Sequence, residues 1–191
     1  VPQVKAKGVK DINVSPNGIW ISSDEGIILL QDQFFGNIGL GPSGKRFYIQ
    51  SITQSPDSQL YVADHNSIHL VKKNLDGFTT ETIFEDPKAY ILSIASDRNN
   101  KFWVANRDKV FYLNNGVIER TIDLSKNGRF IFSILQDSQN ELWIVQDYAK
   151  GISKLTADLE LIHYDDKAVF SSNPKVVKEG INGQVLVGGS G

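Results

Sequence analysis

The 191-residue chain balances 20 Lys and Arg against 22 Asp and Glu, a formal charge of −2, with 40% hydrophobic and 22% charged residues. That is the composition of a globular chain, and its near neutrality argues against a nucleic acid or an anionic membrane held by bulk charge. Without cysteine there is no disulfide, thiolate metal site or cysteine nucleophile, and the longest aliphatic run, Ile27 to Leu30, is far too short to span a bilayer.

Taken in chain order, five stretches repeat one pattern. They are VKDINVSPNGIWIS from Val9, YIQSITQSPDSQLYVA from Tyr48, YILSIASDRNNKFWVA from Tyr90, FIFSILQDSQNELWIV from Phe130, and a weaker KVVKEGINGQVLVG from Lys175. An anchor column, Trp20, Tyr61, Trp103, Trp143 and Leu186, advances by 41, 42, 40 and 43 residues. A second column, Ile52, Ile94, Ile134 and Val177, precedes its anchor by nine residues each time, and Ile12 precedes Trp20 by eight. After each stretch come further short alternating runs: Ser67 to Val71 and Phe78 to Phe84, Lys109 to Leu113 and Gly116 to Ile122, Ile152 to Leu155 and Leu159 to Ile162. Asn, Asp, Gly, Ser and Pro punctuate them, and no window holds a 3.6-residue apolar period over three turns. Four strands in roughly 40 residues is the signature of a propeller blade, and a coil of a parallel β-solenoid would be about half as long.

The run Ile134-Leu135-Gln136-Asp137, then Leu142-Trp143-Ile144 and Gly151-Ile152, resembles the two-component regulator propeller repeat. That repeat usually reads I-x-Q-D-x-x-G-x-L-W-(V/I)-G-T-x-x-G-(L/I). Ser55-Pro56-Asp57 with Leu60-Tyr61-Val62, and Ser96-Asp97 with Phe102-Trp103-Val104, are looser copies, while Trp20-Ile21-Ser22 with Gly26-Ile27 and Leu186-Val187-Gly188 match its second half. The turn glycine is missing from copies two to four, replaced by Gln59, Lys101 and Glu141 or their neighbours, and the G-T pair is missing apart from Gly188. The resemblance implies the sensor region of a hybrid two-component regulator. Such a module is periplasmic or extracellular, detects an oligosaccharide or other small ligand, and is not an enzyme. A propeller hydrolase or lyase, and a structural propeller in a surface assembly, stay open on the residues themselves.

The expected fold is therefore all-β, a single partial β-propeller over residues 1–191. Its repeats are 9–46, 47–88, 89–128, 129–173 and 174–191, making about four complete four-stranded antiparallel blades plus part of a fifth. Propellers typically close with 4–8 blades. The short fifth copy, and an opening at Val1 without a signal or transit peptide, read as a piece of a larger propeller. The uncovered blade faces are expected to meet the remaining blades or a second copy of the chain.

Several motifs invite a chemical reading and have a plainer one. Gly39-Leu40-Gly41-Pro42-Ser43-Gly44 spells G-x-G-x-x-G, but a phosphate cradle needs a helix after it, and the alternating Phe47 to Ile52 reads as a strand. His65 and His69 on an extended chain stand ~13 Å apart, at ~3.3 Å per residue, too far for one ion, and His163 stands alone. Asp24-Glu25, Glu85-Asp86 and Asp165-Asp166 are adjacent, and neighbours on a strand point to opposite faces. Asp57, Asp97 and Asp137 recur in turns, where a carboxylate accepts local N–H groups. The aromatic anchors, flanked by aliphatic residues, read as inter-blade core. Asn13-Val14-Ser15 is an isolated glycosylation sequon. No metal and no cofactor is expected. The residues left for ligand binding are those at the repeat junctions, where loops on a rigid scaffold carry recognition: Arg46, Tyr90, Arg107, Arg129, Asp147 and Tyr148.

Overall fold

Alternating β-branched and aromatic runs cut by turn-formers give strands wherever the repeat places them. The computed structural model describes residues 8–15, 18–24, 26–31, 34–38, 48–74, 77–128, 130–147, 151–165, 173–180 and 182–189, with backbone alone at 31, 34–38 and 77. Among the described residues there are strands and turns and no helix. Two compact units divide the chain, residues 1–91 and 92–191.

The first unit holds two sheets. β1 (Asp11–Ser15), β2 (Gly18–Ser23), β3 (Gly26–Gln31) and β4 (Phe34–Ile38) form one, and β5 (Ser51–Gln54), β6 (Leu60–Ala63), β7 (Ser67–Asn74) and β8 (Gly77–Glu85) the other. The second unit holds a sheet of β9 (Ser93–Ser96), β10 (Phe102–Ala105), β11 (Lys109–Asn114) and β12 (Val117–Asp123), and another of β13 (Ile131–Gln136), β14 (Leu142–Gln146), β15 (Ile152–Leu155) and β16 (Leu161–Tyr164). A two-stranded sheet of β17 (Pro174–Glu179) and β18 (Val185–Gly189) completes it. All four-stranded sheets are antiparallel meanders in sequence order, the construction of β-propeller blades. The fold is all-β, as the repeat predicts.

Register explains the second column. The residue after each anchor pairs with it in every sheet: Ile21 with Ile12, Val62 with Ile52, Val104 with Ile94, Ile144 with Ile134, and Val187 with Val177. Within each unit the anchors Trp20, Trp103 and Trp143 point to the opposite face, toward the following sheet. In the first unit Trp20 and Ile27 pack on Ile49, Ile52, Leu60 and Val62. In the second, Ala95 and Trp103 pack on Ile131, Ile134, Leu142 and Leu155. Fully burying one such aliphatic side chain contributes ~1.5–3 kcal/mol, so the sheet-to-sheet face is the main source of cohesion.

Trp20, Tyr61 and Trp103 are buried, as expected. Trp143 is half-buried, because the sheet opposite it is the two-stranded one, and Leu186 on that sheet is 56% exposed. In the second column the order reverses: Ile12 is 46% exposed whereas Ile52 is buried against the first sheet.

One turn geometry recurs between strands. Asp97 and Asp137 each accept two N–H groups on Oδ1, from Asn99 and Lys101 at 2.8 Å and from Gln139 and Glu141 at 2.9 Å. Their second oxygens accept from the Tyr112 hydroxyl and, at 2.7 Å, from Trp143 Nε1. Asp57 does not belong to this column. Ser55 occupies the position instead, closing the turn through its N–H to the Gln59 carbonyl at 2.9 Å, and Asp57 lies two residues further on, accepting from the Ser55 hydroxyl. The missing turn glycine is also located: Ser58, Asn100 and Asn140 adopt left-handed φ of 66°, 60° and 67°, and Gly183 does so in the fifth copy. Asn tolerates that region better than most residues, which is why two copies manage without glycine.

Candidate functional site

Where the second strand of a sheet turns into its third, the loop meets the segment that follows the fourth strand. In the first unit the loop after β6 carries His65, whose ring stacks on Tyr90 with centroids 5.0 Å apart and planes at 23°. Gln50 Nε2 lies 3.2 Å from His65 Nε2, and the His65 carbonyl accepts the Ile91 N–H at 2.7 Å. Tyr90 itself has a left-handed φ of 49° and is partly exposed, so its ring is presented by strained backbone rather than by a regular strand.

The second unit repeats the arrangement with charged residues. Arg107, in the loop after β10, holds its guanidinium 5.4 Å from the centroid of Phe130, and its carbonyl accepts the Ile131 N–H at 2.9 Å. Asp147, at the end of β14, donates its N–H to the Phe130 carbonyl at 2.7 Å. Lys175 Nζ stands 3.6 Å from the Asp147 carboxylate and 3.8 Å from the Phe132 ring centroid. Arg107 thus holds Phe130 by its ring and Asp147 holds it by its backbone, and the Asp147 carboxylate pairs with Lys175, so a cation, a ring, a carboxylate and a second cation gather on loops fixed by strand ends. Beside it in the chain, Gln146 is fully buried, with its Nε2 donated to the Leu124 carbonyl at 3.2 Å and its Oε1 unpartnered.

Of the six residues expected to bind ligand, Arg107 and Asp147 both contact Phe130 in the second unit and Tyr90 lies in the first. Arg46, Arg129 and Tyr148 lie outside the described residues, as does the G-x-G-x-x-G segment. His65, Phe130 and Lys175 were not anticipated. The signal was present: His65, Arg107 and Asp147 each fall four residues after an anchor, and Tyr48, Tyr90 and Phe130 fall thirteen before one.

The other chemistry-bearing groups have structural duties. Asp64 Oδ1 accepts the N–H groups of Asn66 and Ser67 at 2.8 Å, and its Oδ2 lies 3.4 Å from His69 Nε2. Burial opposes the Asp64 charge, but the hydrogen bonds from His69, Asn66 and Ser67 together outweigh it and hold the carboxyl below its ordinary pKa. His69 Nδ1 reaches Thr82 Oγ1 and His163 Nδ1 reaches Ser153 Oγ, both at 3.0 Å. Among the described residues no three His, Asp or Glu side chains gather closely enough to hold one metal ion.

No family model and no curated protein sequence matches the chain. Solved structures do match. A streptogramin B lyase is 22% identical with a TM-score of 0.72 over 98% of this chain and 63% of its own. Virginiamycin B lyase from Staphylococcus aureus is 19% identical, also with a TM-score of 0.72, over 95% of this chain and 63% of its own. The extracellular domain assigned to a hybrid two-component system of B. thetaiotaomicron is 17% identical with a TM-score of 0.71, over 96% of this chain and 28% of its own. At these identities the likeness is one of fold, and the chain spans less than two thirds of either lyase. The fold is shared by lyases and by the extracellular domain of a two-component system alike.

Proposed function

We propose that the chain is a ligand-binding part of an extracellular or periplasmic sensor propeller, of the kind carried by hybrid two-component systems, and that it recognises an oligosaccharide or similar small ligand without transforming it. The strip of Arg107, Phe130, Asp147 and Lys175 supports this reading most directly. Sugars combine hydroxyls with an apolar ring face, and a cation, a carboxylate and an aromatic ring on rigid loops suit both parts. Arg46, Tyr90, Arg129 and Tyr148 extend the proposed binding set. Calorimetric titration with a glycan panel tests it: at least one oligosaccharide should bind, and Arg107→Ala and Asp147→Ala should weaken it about tenfold or more with no change in melting temperature. Absence of binding across the panel would overturn the reading.

A lyase-type enzyme is the second reading, favoured by the TM-score of 0.72 to two lyases. A histidine-to-alanine variant of the S. aureus lyase is catalytically inactive. Here His69 and His163 are engaged by Thr82 and Ser153, and His65 by Gln50, which favours binding over catalysis. Incubation with quinupristin, followed by chromatography, separates the two readings. We further propose that remaining blades of the propeller, or a second copy in their place, cover the exposed Ile12 and Val14. Sedimentation tests this: a monodisperse, cooperatively melting monomer of this chain would count against it.

A further inference from the structure

We infer that the cleft between the two four-stranded sheets of the second unit binds the ring of a uronic acid, with Arg120 taking its carboxylate. The inference rests on the saccharide-binding reading for its ligand class, but the site is a different one. It lies at the end of the strands opposite the Arg107–Asp147 strip, on the side of the β9–β10, β13–β14 and β15–β16 turns.

Strand register builds the first wall. Ala95 pairs with Trp103, Trp103 with Tyr112, and Tyr112 with Arg120, so these four side chains form one row across the sheet on the face toward its neighbour. The row passes from buried core to exposed cation. Trp103 and Tyr112 rings stand 4.6 Å apart at its centre. Gln136, Asn140, Leu155, Thr156 and Leu159 supply the second wall, and the cleft encloses about 230 Å³. Drug-sized pockets run to about 300–1,000 Å³, so this one suits a single small ring.

The charges decide which ring. Glu119 is already neutralised, with Asn114 Nδ2 at 2.7 Å and Lys101 Nζ at 3.5 Å from its two oxygens. Asp97 is buried and saturated by two N–H groups and the Tyr112 hydroxyl. Burial, with the Asp97 hydrogen bond and charge behind it, keeps Tyr112 protonated far above the usual phenol range. The Arg120 guanidinium lines the cleft, with no side-chain hydrogen bond or close ion pair among the described residues, and its charge acts on Tyr112 and Glu119 beside it. On the other wall Gln136 donates Nε2 to Asn140 Oδ1 at 3.3 Å, while its buried Oε1 has no donor. An unsatisfied buried acceptor calls for a hydroxyl, an unpaired guanidinium for an anion, and the Trp103–Tyr112 pair for an apolar edge. A uronate carries all three. A sugar phosphate carries them too, but the one Arg120 charge matches a carboxylate and leaves part of a phosphate's charge of about −1.5 to −2 unpaired.

Calorimetry on the full chain tests this with trigalacturonate, neutral trigalactose and galactose 6-phosphate. Trigalacturonate should bind at least tenfold tighter than trigalactose and tighter than the phosphate. Arg120→Gln should weaken it tenfold or more, and Gln136→Leu several-fold. Arg120 is exposed, so its variant should fold normally, as a melting curve will show. Uronide binding that is absent, unaffected by Arg120→Gln, or no tighter than that of the neutral sugar or the phosphate would overturn the inference. A neutral sugar that binds while the uronide does not would sink this site yet keep the sensor reading, whereas failure of every sugar would sink both.

Discussion

Ser93 Oγ accepts a hydrogen bond from the N–H of Ile134, 41 residues further along the chain, at 3.2 Å. The same stitch joins Asp11 Oδ2 to the Ile52 N–H at 3.2 Å in the first unit and Ser133 Oγ to the Val177 N–H at 3.4 Å in the second. All three acceptors stand immediately before the second column. The physical need is clear. β13 is an edge strand, and the Ile134 N–H faces away from its ladder partner into a buried inter-sheet space. Without water there, the neighbouring sheet must supply the acceptor.

Ser93→Ala should therefore destabilise the second unit more than loss of one exposed hydroxyl would. An unsatisfied buried donor costs ~1–3 kcal/mol, and the fall should appear as a lower denaturant midpoint at unchanged slope. A midpoint equal to the parent's would mean that solvent reaches Ile134.

Leu159 repeats the left-handed turn position of Asn100 and Asn140, with φ of 70°, but it is an aliphatic residue. Its turn is otherwise intact: the Thr156 N–H donates to the Glu160 carbonyl at 2.9 Å, and Thr156 Oγ1 accepts the Glu160 N–H at 3.0 Å. Left-handed backbone costs a β-carbon-bearing residue roughly 1–2 kcal/mol, less for Asn. Since Leu159 is 42% exposed, Leu159→Asn should raise stability by ~0.5–1 kcal/mol, read as a higher melting temperature. A lower one would show that the side chain packs across the cleft more than its exposure implies.

Local chemistry made much of this legible from the residues. Period-two alternation located the blades, and the anchor spacing fixed the register, because both depend on neighbours along the chain. The stitch column was missed since a serine between two hydrophobic residues looks like ordinary alternation; its partner is a backbone group one repeat away. Asp57 was misplaced because a carboxylate two residues late in a turn resembles one on time. Trp143 was expected to be as buried as Trp103, and the difference lies in the size of the opposing sheet, which no single repeat encodes. At the candidate site, loop position places Arg107 and Asp147 beside Phe130. The place of Arg120 beside Tyr112 is not legible in the same way: on an exposed outer strand it looks like solvated surface until pairing sets the row.

Gly151 opens β15 in the Gly-Ile pair that the repeat shares, and its neighbourhood leaves no choice of residue. A β-carbon there would lie 1.9 Å from the Tyr164 carbonyl oxygen and 2.8 Å from its carbon, both backbone atoms. The β15–β16 pairing of Ile152 with Tyr164 must open for any side chain to fit. Gly151→Ala should cost at least ~1–3 kcal/mol, with early hydrogen exchange at Ile152 and Tyr164. Parent-like protection of those two amides would contradict the close approach.

Asp64 offers a test in which the sequence supplies its own control. Its counterpart after β10 is Asn106, whose Oδ1 accepts the Asp108 and Lys109 N–H groups at 3.2 and 2.9 Å, so an amide can hold this turn. Asp64→Asn should keep the turn and lose only the charge facing His69. The Asp64 carboxyl is lowered below its ordinary pKa, so the folded state binds its proton more weakly than the unfolded chain does. Its contribution is fully present above the ordinary Asp value, near 3.9, and drains away as pH falls through the lower folded value. Chemical denaturation between pH 2 and 6 should then show the parent more stable than the variant at pH 5 to 6. The gap should close steadily below about pH 4 as the parent takes up the proton. A gap constant with pH would mean that Asp64 acts only as a turn acceptor and that its charge contributes nothing to folding.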